Sequence, residues 1–252
     1  MQESVVLYWQ PGCTSCLRAK EFLKANGVDF KSINVAEDPD KLEELGKHGI
    51  QSVPVLRRGN SFLYAQVLSE MAEFLHIKSK MTTPLPVEIL VTKLDVILTA
   101  AQRYILQVPD SCLNKNLPGR KRTVRELSYH IFHIAECFIR ATSGTPLDDN
   151  ELNAPPGNDL RTTKDLATYG KNVMKAVQNW WDVEPHATGS ETLSTYFGPQ
   201  TLQTVMERTA WHSAQHTRQL MMVLDNLGIE PKEPLTPASL SGLPLPTNVW
   251  DS

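Results

Sequence analysis

Val5-Val6-Leu7-Tyr8-Trp9-Gln10-Pro11-Gly12-Cys13-Thr14-Ser15-Cys16 is the stretch on which the fold of this chain turns. Five apolar residues, stopped by Pro-Gly, predict a short strand enclosed on both faces. Two cysteines, three residues apart, follow the turn. From 14 to 26, Leu17, Phe22 and Leu23 mark a helix, with Gly27 as its stop. Cys13 therefore falls at a helix N-terminus, where the macrodipole and unpaired backbone N–H groups favour a thiolate. Cys16, one turn on, is positioned to resolve a mixed disulfide. Half of a zinc site or two inert thiols are the alternatives. Zinc, however, needs a second ligand pair at suitable spacing, and none follows.

Beyond Gly27, residues 30–35 alternate as a strand. Asp38-Pro39 opens a helix to about His48, with Asp38 as N-cap and the proline at its first position. Residues 54–56 and 61–64 flank Arg58-Gly59-Asn60, a hairpin signal, and 67–77 predict a closing helix. Strand–helix–strand–helix–strand–strand–helix is a small α/β domain, set at 1–79. Pro54 stands before a strand, where proline is unfavourable unless the turn requires it.

In the Tyr8-to-Cys16 segment, in that element order and in Ser52-Val53-Pro54 (the family has Thr-Val-Pro), residues 1–78 resemble the glutaredoxin family of the thioredoxin fold. The resemblance implies thiol–disulfide exchange through Cys13 and Cys16, a cis peptide before Pro54, and substrate contacts from Tyr8, Val53 and Pro54. The family's Gly-Gly before the last helix reads Tyr64-Ala65 here. No acidic residue stands around Gln66-Val67 to hold the amino group of glutathione. Another low-molecular-weight thiol, or a protein disulfide, fits as substrate as well.

Residues 80–86, with Pro84 and Pro86, read as a linker. After it the periodicity is helical: Leu90, Leu94, Ile97, Leu98, Ala101 and Ile105 share a face, and Pro109 ends the run. A second helix opens at Thr123-Val124-Arg125-Glu126, the spacing of a capping box. A third is expected over about 163–181 and a fourth over about 199–227, stopping at Gly228. Four long helices predict an all-α antiparallel four-helix bundle over 87–230. The proline-rich tail, 231–252, is expected to run extended over the surface.

Leu202, Val205, Thr209, His212, His216, Leu220, Val223 and Leu227 form one stripe of the fourth helix. Leu127, His130, Ile131, Ile134, Phe138 and Ala141 form that of the second, with His133 at its margin. One histidine on an apolar face is usually a hydrogen-bonded core residue. A pair four residues apart plus a third on a facing helix favours a metal site, because bundle interiors are where such sites are built. Three neutral nitrogens with an open fourth position is a catalytic zinc-like pattern. Cys137 reads as a buried, apolar-like cysteine ahead of an extra ligand or nearby thiol, and Cys112 has no partner at motif spacing. Trp180-Trp181 and Trp211 read as packing aromatics, and Asp148-Asp149-Asn150 and Arg120-Lys121-Arg122 as solvated loop charges.

Val124 to His130 and the run Trp211-His212-Ser213-Ala214-Gln215-His216-Thr217-Arg218-Gln219 resemble the DinB-like four-helix family, over residues 86–230. Its members include bacillithiol- and mycothiol-dependent S-transferases. The resemblance implies His130, His212 and His216 as ligands of a divalent metal, zinc first, with nickel and iron also accepted by three imidazoles. It also implies a small-molecule thiol cosubstrate and an electrophilic or disulfide substrate. Some relatives bind metal without known activity, so a structural, regulatory or dimerisation role for the bundle, hence a homodimer, stays open.

The 252 residues suit one large domain or two ordinary ones. Net charge is 25 − 28 = −3, which leaves no electrostatic footprint for nucleic acid or a polybasic membrane anchor. No run approaches the ~18 apolar residues of a spanning helix. Met1-Gln2-Glu3-Ser4 is acidic where a signal peptide is basic. The expected compartment is the cytoplasm, where four cysteines read as reactive or metal-related thiols rather than a disulfide framework.

Overall fold

The computed structural model describes residues 4–78, 83–118, 122–183 and 188–250. Of the segments singled out above, residues 1–3, 80–82 of the linker, Arg120, Lys121 and 251–252 lie outside these. The chain divides into two compact units, Met1–Thr83 with Pro246–Ser252, and Pro84–Leu245.

The first unit is built from β1 (Val5–Trp9), α1 (Thr14–Ala25), β2 (Phe30–Asn34), α2 (Pro39–Gly46), β3 (Val55–Arg58), β4 (Ser61–Tyr64) and α3 (Leu68–Leu75). The sheet order is β2-β1-β3-β4. β1 runs parallel to β2 and antiparallel to β3, so Leu7 sits between Ser32 and Leu56. Successive β1 residues serve opposite faces. Leu7 joins Ala19, Phe22, Leu23, Leu56 and Met71, whereas Tyr8 joins Cys16, Val35, Leu45, Ile50 and Val55. This two-sided burial is why β1 is apolar throughout rather than alternating. Each fully buried large side chain contributes roughly 2 kcal/mol.

The second unit contains α4 (Val87–Ile105), a 3-10 turn at Asp110–Cys112, α5 (Val124–Thr142), α6 (Asp149–Leu152), α7 (Thr163–Val183), β5 (Thr192–Leu193), β6 (Gln200–Thr201), α8 (Leu202–Asn226) and α9 (Pro237–Leu240). The capping box of α5 is formed: Thr123 Oγ1 accepts from the Glu126 N–H, and the Glu126 carboxylate from the Thr123 N–H. The fourth helix starts later than the expected 199, because Gln200–Thr201 pairs with Thr192–Leu193 as a small hairpin and Thr201 then caps α8.

The four long helices form a bundle in which α8 packs against α4 and α5, and α7 against α5 and α4. α4 and α5, although consecutive long helices, meet only slightly. This order makes α5 and α8 neighbours. Small residues on α8 permit the approach: Ala210, Ser213 and Ala214 are fully buried, and Ser213 Oγ donates to the Ile131 carbonyl at 3.0 Å. On the other side Gly170 of α7 lies so close to Phe132 that a methyl at 170 would overlap the ring. Among the described residues no helix is long and apolar enough to cross a membrane.

The segment 231–252 is not the single extended tail expected. Its first part is pinned to α4: Tyr104 Oη donates to the Glu233 carbonyl and accepts from the Leu235 N–H, and Arg103 donates to the Lys232 and Glu233 carbonyls. A short helix, α9, follows. The residues from Pro246 onward belong to the first unit, where the Thr247 and Asn248 N–H groups donate to the Glu21 carboxylate of α1.

Candidate functional site

The sulfur site forms where β1 turns into α1. Gly12 adopts φ +68°, a conformation open to glycine, and lets the chain reverse directly into the helix. Cys13 is then the N-cap of α1, and its Sγ accepts from the Cys16 N–H at 3.2 Å. Cys13 and Cys16 are joined as a disulfide. Cys13 is half-buried, whereas Cys16 is fully buried under the sheet, so an incoming thiol meets Cys13 first. Cys13 Sγ lies 3.9 Å from the Val53 carbonyl oxygen, and the Val53–Pro54 peptide is cis. The loop beyond is tied down by two contacts: the Ala65 N–H donates to the Pro54 carbonyl at 2.9 Å, and buried Arg18 of α1 donates to the Gln66 carbonyl at 2.5 Å. Tyr8, expected against substrate, is 1% exposed and belongs to the core beneath the cysteines. The sheet is covered on its second face as well as on that of Leu7, and this second core encloses it.

The second site joins α5 to α8. His130, His212 and His216 are 5%, 9% and 2% exposed. Each offers a ring nitrogen, and these nitrogens lie within 4.8 Å of one another. Ring centroids are 5.6 Å apart for His130–His212, 5.0 Å for His130–His216 and 4.8 Å for His212–His216. His216 Nδ1 lies 2.7 Å from Gln219 Oε1, one turn on. Donation to that oxygen fixes the tautomer whose lone pair is on Nε2. Trp211, fully buried, stacks on His212 with planes 10° apart. The donors are three imidazoles with no carboxylate among them, a set suited to zinc, nickel or iron and not to magnesium or calcium. Gln219 is the last residue of the run Trp211 to Gln219, but a partner three residues from a ligand carries no pattern of its own.

A third cluster lies farther along α5. His133 is buried rather than marginal, and its ring is fully engaged. Nδ1 faces Tyr129 Oη at 2.9 Å and the Glu136 carboxylate at 3.0 Å, and Nε2 faces the Glu151 carbonyl at 2.7 Å. Tyr169 of α7 donates to the same Glu136 carboxylate at 2.6 Å. Cys137 Sγ is 3.5 Å from His133 Nε2 and 3.4 Å from Arg140 Nη2. Burial pulls the His133 pKa down, but the sulfur of Cys137, the Glu136 carboxylate and the Glu151 carbonyl together raise it to about 10. The hydrogen bond from His133 holds Glu136 below the usual carboxylate range. Burial, then the Glu136 charge, keeps Tyr169 protonated, and burial pushes Tyr129 up to about 12. Cys137 is buried, as expected, and has contacts to His133 and Arg140 as well. Asp148, expected as a solvated charge, caps α6 by accepting from the Glu151 N–H, which presents Glu151 to the cluster. The i, i+3, i+4, i+7 spacing of His133, Glu136, Cys137 and Arg140 was the available signal.

Residues 5–63 match the glutaredoxin family model, and residues 93–220, just over half of the chain, match that of the DinB superfamily. A glutaredoxin-like 8.6 kDa protein in the rubredoxin operon of Clostridium pasteurianum is 40% identical over 53 residues, 21% of this chain and 71% of that protein. Protein YusI of Bacillus subtilis is 40% identical over 42 residues, 17% of this chain and 36% of its own length. The global transcriptional regulator Spx of Lactiplantibacillus plantarum is 39% identical over 41 residues, 16% of this chain and 31% of the regulator. The matches thus span about a third of the last two proteins. With one model running over half of the chain and the clostridial relative matched over most of its length, this chain belongs to the DinB superfamily and carries a glutaredoxin domain at its start.

Proposed function

We propose that the chain is a cytoplasmic thiol enzyme with two sites, a dithiol exchange site and a metal-dependent S-transfer site. In the first, the Cys13 thiolate attacks a disulfide RS–SR′, forming Cys13–S–SR and releasing R′S⁻. Cys16 then attacks Cys13 Sγ, RS⁻ departs, and the Cys13–Cys16 disulfide remains. The half-buried Cys13 and fully buried Cys16 support this division of roles. The Val53 carbonyl and Pro54, close beside Cys13, would line the approach of the substrate.

The observation that carries the second site is the convergence of three buried imidazoles from two helices. His130, His212 and His216 would hold a divalent metal, zinc first. When bound, the metal supplies Lewis acidity that favours the ionised form of a coordinated thiol. All three rings are buried, and the Gln219–His216 contact holds one of them in register. The net reaction is RS⁻ + R′–X → RS–R′ + X⁻, with a low-molecular-weight thiol as RS⁻ and an electrophile as R′–X.

Elemental analysis of the purified chain, followed by transfer assays with several low-molecular-weight thiols, tests this. One bound metal per chain and turnover that His216→Ala removes while the helical content stays support it. A chain that binds no added divalent metal sinks it. The low exposure of the three rings also favours a second reading, a closed structural metal. In that case His216→Ala lowers stability, and no thiol turns over at any stage.

A further inference from the structure

We propose, resting on the exchange reading of Cys13 and Cys16, that Arg18 is a positioning residue for that reaction. Its buried guanidinium holds the loop of residues 51–54 at a working distance from Cys13. Arg18 stands on α1 just beyond the cysteines and is 5% exposed. Taking a guanidinium out of water is costly unless its N–H groups meet acceptors. One acceptor is the Gln66 carbonyl, in the turn that joins β4 to α3.

The same turn holds the substrate-lining loop at both ends. The Tyr64 hydroxyl accepts from the Gln51 N–H at 3.2 Å, and the Ala65 N–H donates to the Pro54 carbonyl at 2.9 Å. Between these contacts lie Ser52 and Val53, and the Val53 carbonyl oxygen is 3.9 Å from Cys13 Sγ. The turn itself is tight: Ala65 and Gln66 are buried, and the Gln66 N–H donates to the Tyr64 carbonyl at 2.8 Å. Loop and turn form one piece, because Val55 and Tyr64 face each other across β3 and β4.

The contacts thus close a circuit from Cys13 along α1 to Arg18, across to the turn, through it to the loop, and back to Cys13 at Val53. Apolar packing also seats α1, with Ala19, Phe22 and Leu23 in one cluster with Leu7, Leu56 and Met71. Apolar burial is non-directional and resists small slides of a helix weakly. A hydrogen bond from a side chain on that helix is directional. Arg18 therefore sets where the sulfur-bearing end of α1 stands against the loop.

The test uses the full chain, reduced and freed of reductant, against two probes. Hydroxyethyl disulfide is too small to span the loop, whereas an extended disulfide-bonded peptide has flanking residues that reach over it. Rates are measured across pH, with melting midpoints alongside. Arg18→Met, of similar length without donors, is expected to lower kcat/KM for the peptide about tenfold, mainly through KM. The small disulfide should stay within about twofold, and the midpoint of the pH–rate profile should not move. Arg18→Lys keeps the charge without the planar fork and is expected to match Arg18→Met within about twofold. Should one variant fail to fold, the other decides. Three outcomes overturn the proposal: unchanged kinetics in a folded variant, equal losses on both probes, or a pH midpoint that moves in Arg18→Met and returns in Arg18→Lys. The last would mean that the charge acts on the sulfur directly. An unmodified chain inert toward both disulfides overturns the exchange reading, and this one with it.

Discussion

The two principal sites solve the same problem, holding reactive side chains at a fixed distance, by opposite means. In the first unit one helical turn suffices: Cys13 caps α1, Cys16 lies three residues on, and only Val53-Pro54 comes from elsewhere. In the second unit the ligand candidates are 82 and 86 residues apart (212 − 130 and 216 − 130), and only the packing of α5 on α8 brings them together. The sulfur site is therefore robust to changes in distant packing. The imidazole site depends on every contact that sets the spacing of two helices.

That contrast makes its sharpest demand on single substitutions. Cys13→Ser is expected to reduce disulfide exchange to background, since no other sulfur occupies the helix N-cap, while metal content stays at the unmodified level. If metal is lost as well, the two sites are not independent, and the comparison fails. Gln219→Ala removes the partner of His216 Nδ1 and no ligand. It is expected to weaken metal affinity by about 10–100-fold, measured by competition with a chromophoric chelator, and to leave disulfide exchange unchanged.

What could be read from the chain follows the same division. The apolar run Val5–Trp9, the Pro11-Gly12 turn and the cysteines after it are local signals, and every element of the first unit was visible in them or in their successors. His130, His212 and His216 were visible because helical periodicity reports an inward face at any distance along the chain. What periodicity does not report is neighbourhood. Nothing in the stripes says that α5 lies beside α8 and away from α4, and the small residues Ala210, Ser213 and Ala214 acquire meaning only once the helices are paired. Tyr8 illustrates the same limit: its place in the motif suggests a substrate contact, and the core packed on its face of the sheet buries it. The hairpin of Thr192–Leu193 with Gln200–Thr201 was missed because two-residue strands are too short for any period to register.

Packing sensitivity can be probed away from either site. Gly170→Ala drives a methyl into Phe132, so α7 must shift from α5. A destabilisation of about 1–3 kcal/mol is expected. It should appear as a lower melting midpoint with disulfide exchange intact at low temperature. A neutral result would mean that the α5–α7 spacing yields easily.

The smallest effect expected is on pH dependence, and it bears on α5 alone. His133 titrates near 10 in the folded chain, against about 6.5 when unfolded, so its contribution to stability is complete below about 6.5 and declines as pH rises toward 10. Glu136 behaves oppositely. Its folded pKa is depressed, so its contribution is complete above its unfolded value of about 4.5 and is lost as pH falls below that. Together they stabilise most between about 4.5 and 6.5. Melting midpoints measured from pH 6 to pH 9 should therefore decline in the unmodified chain and decline less in His133→Gln, which keeps a hydrogen-bonding side chain but cannot ionise. Equal slopes in the two proteins would show that the charge on His133 does not differ between folded and unfolded states. The buried cation of α5 would then be removed from the account, while the two principal sites would stand as described.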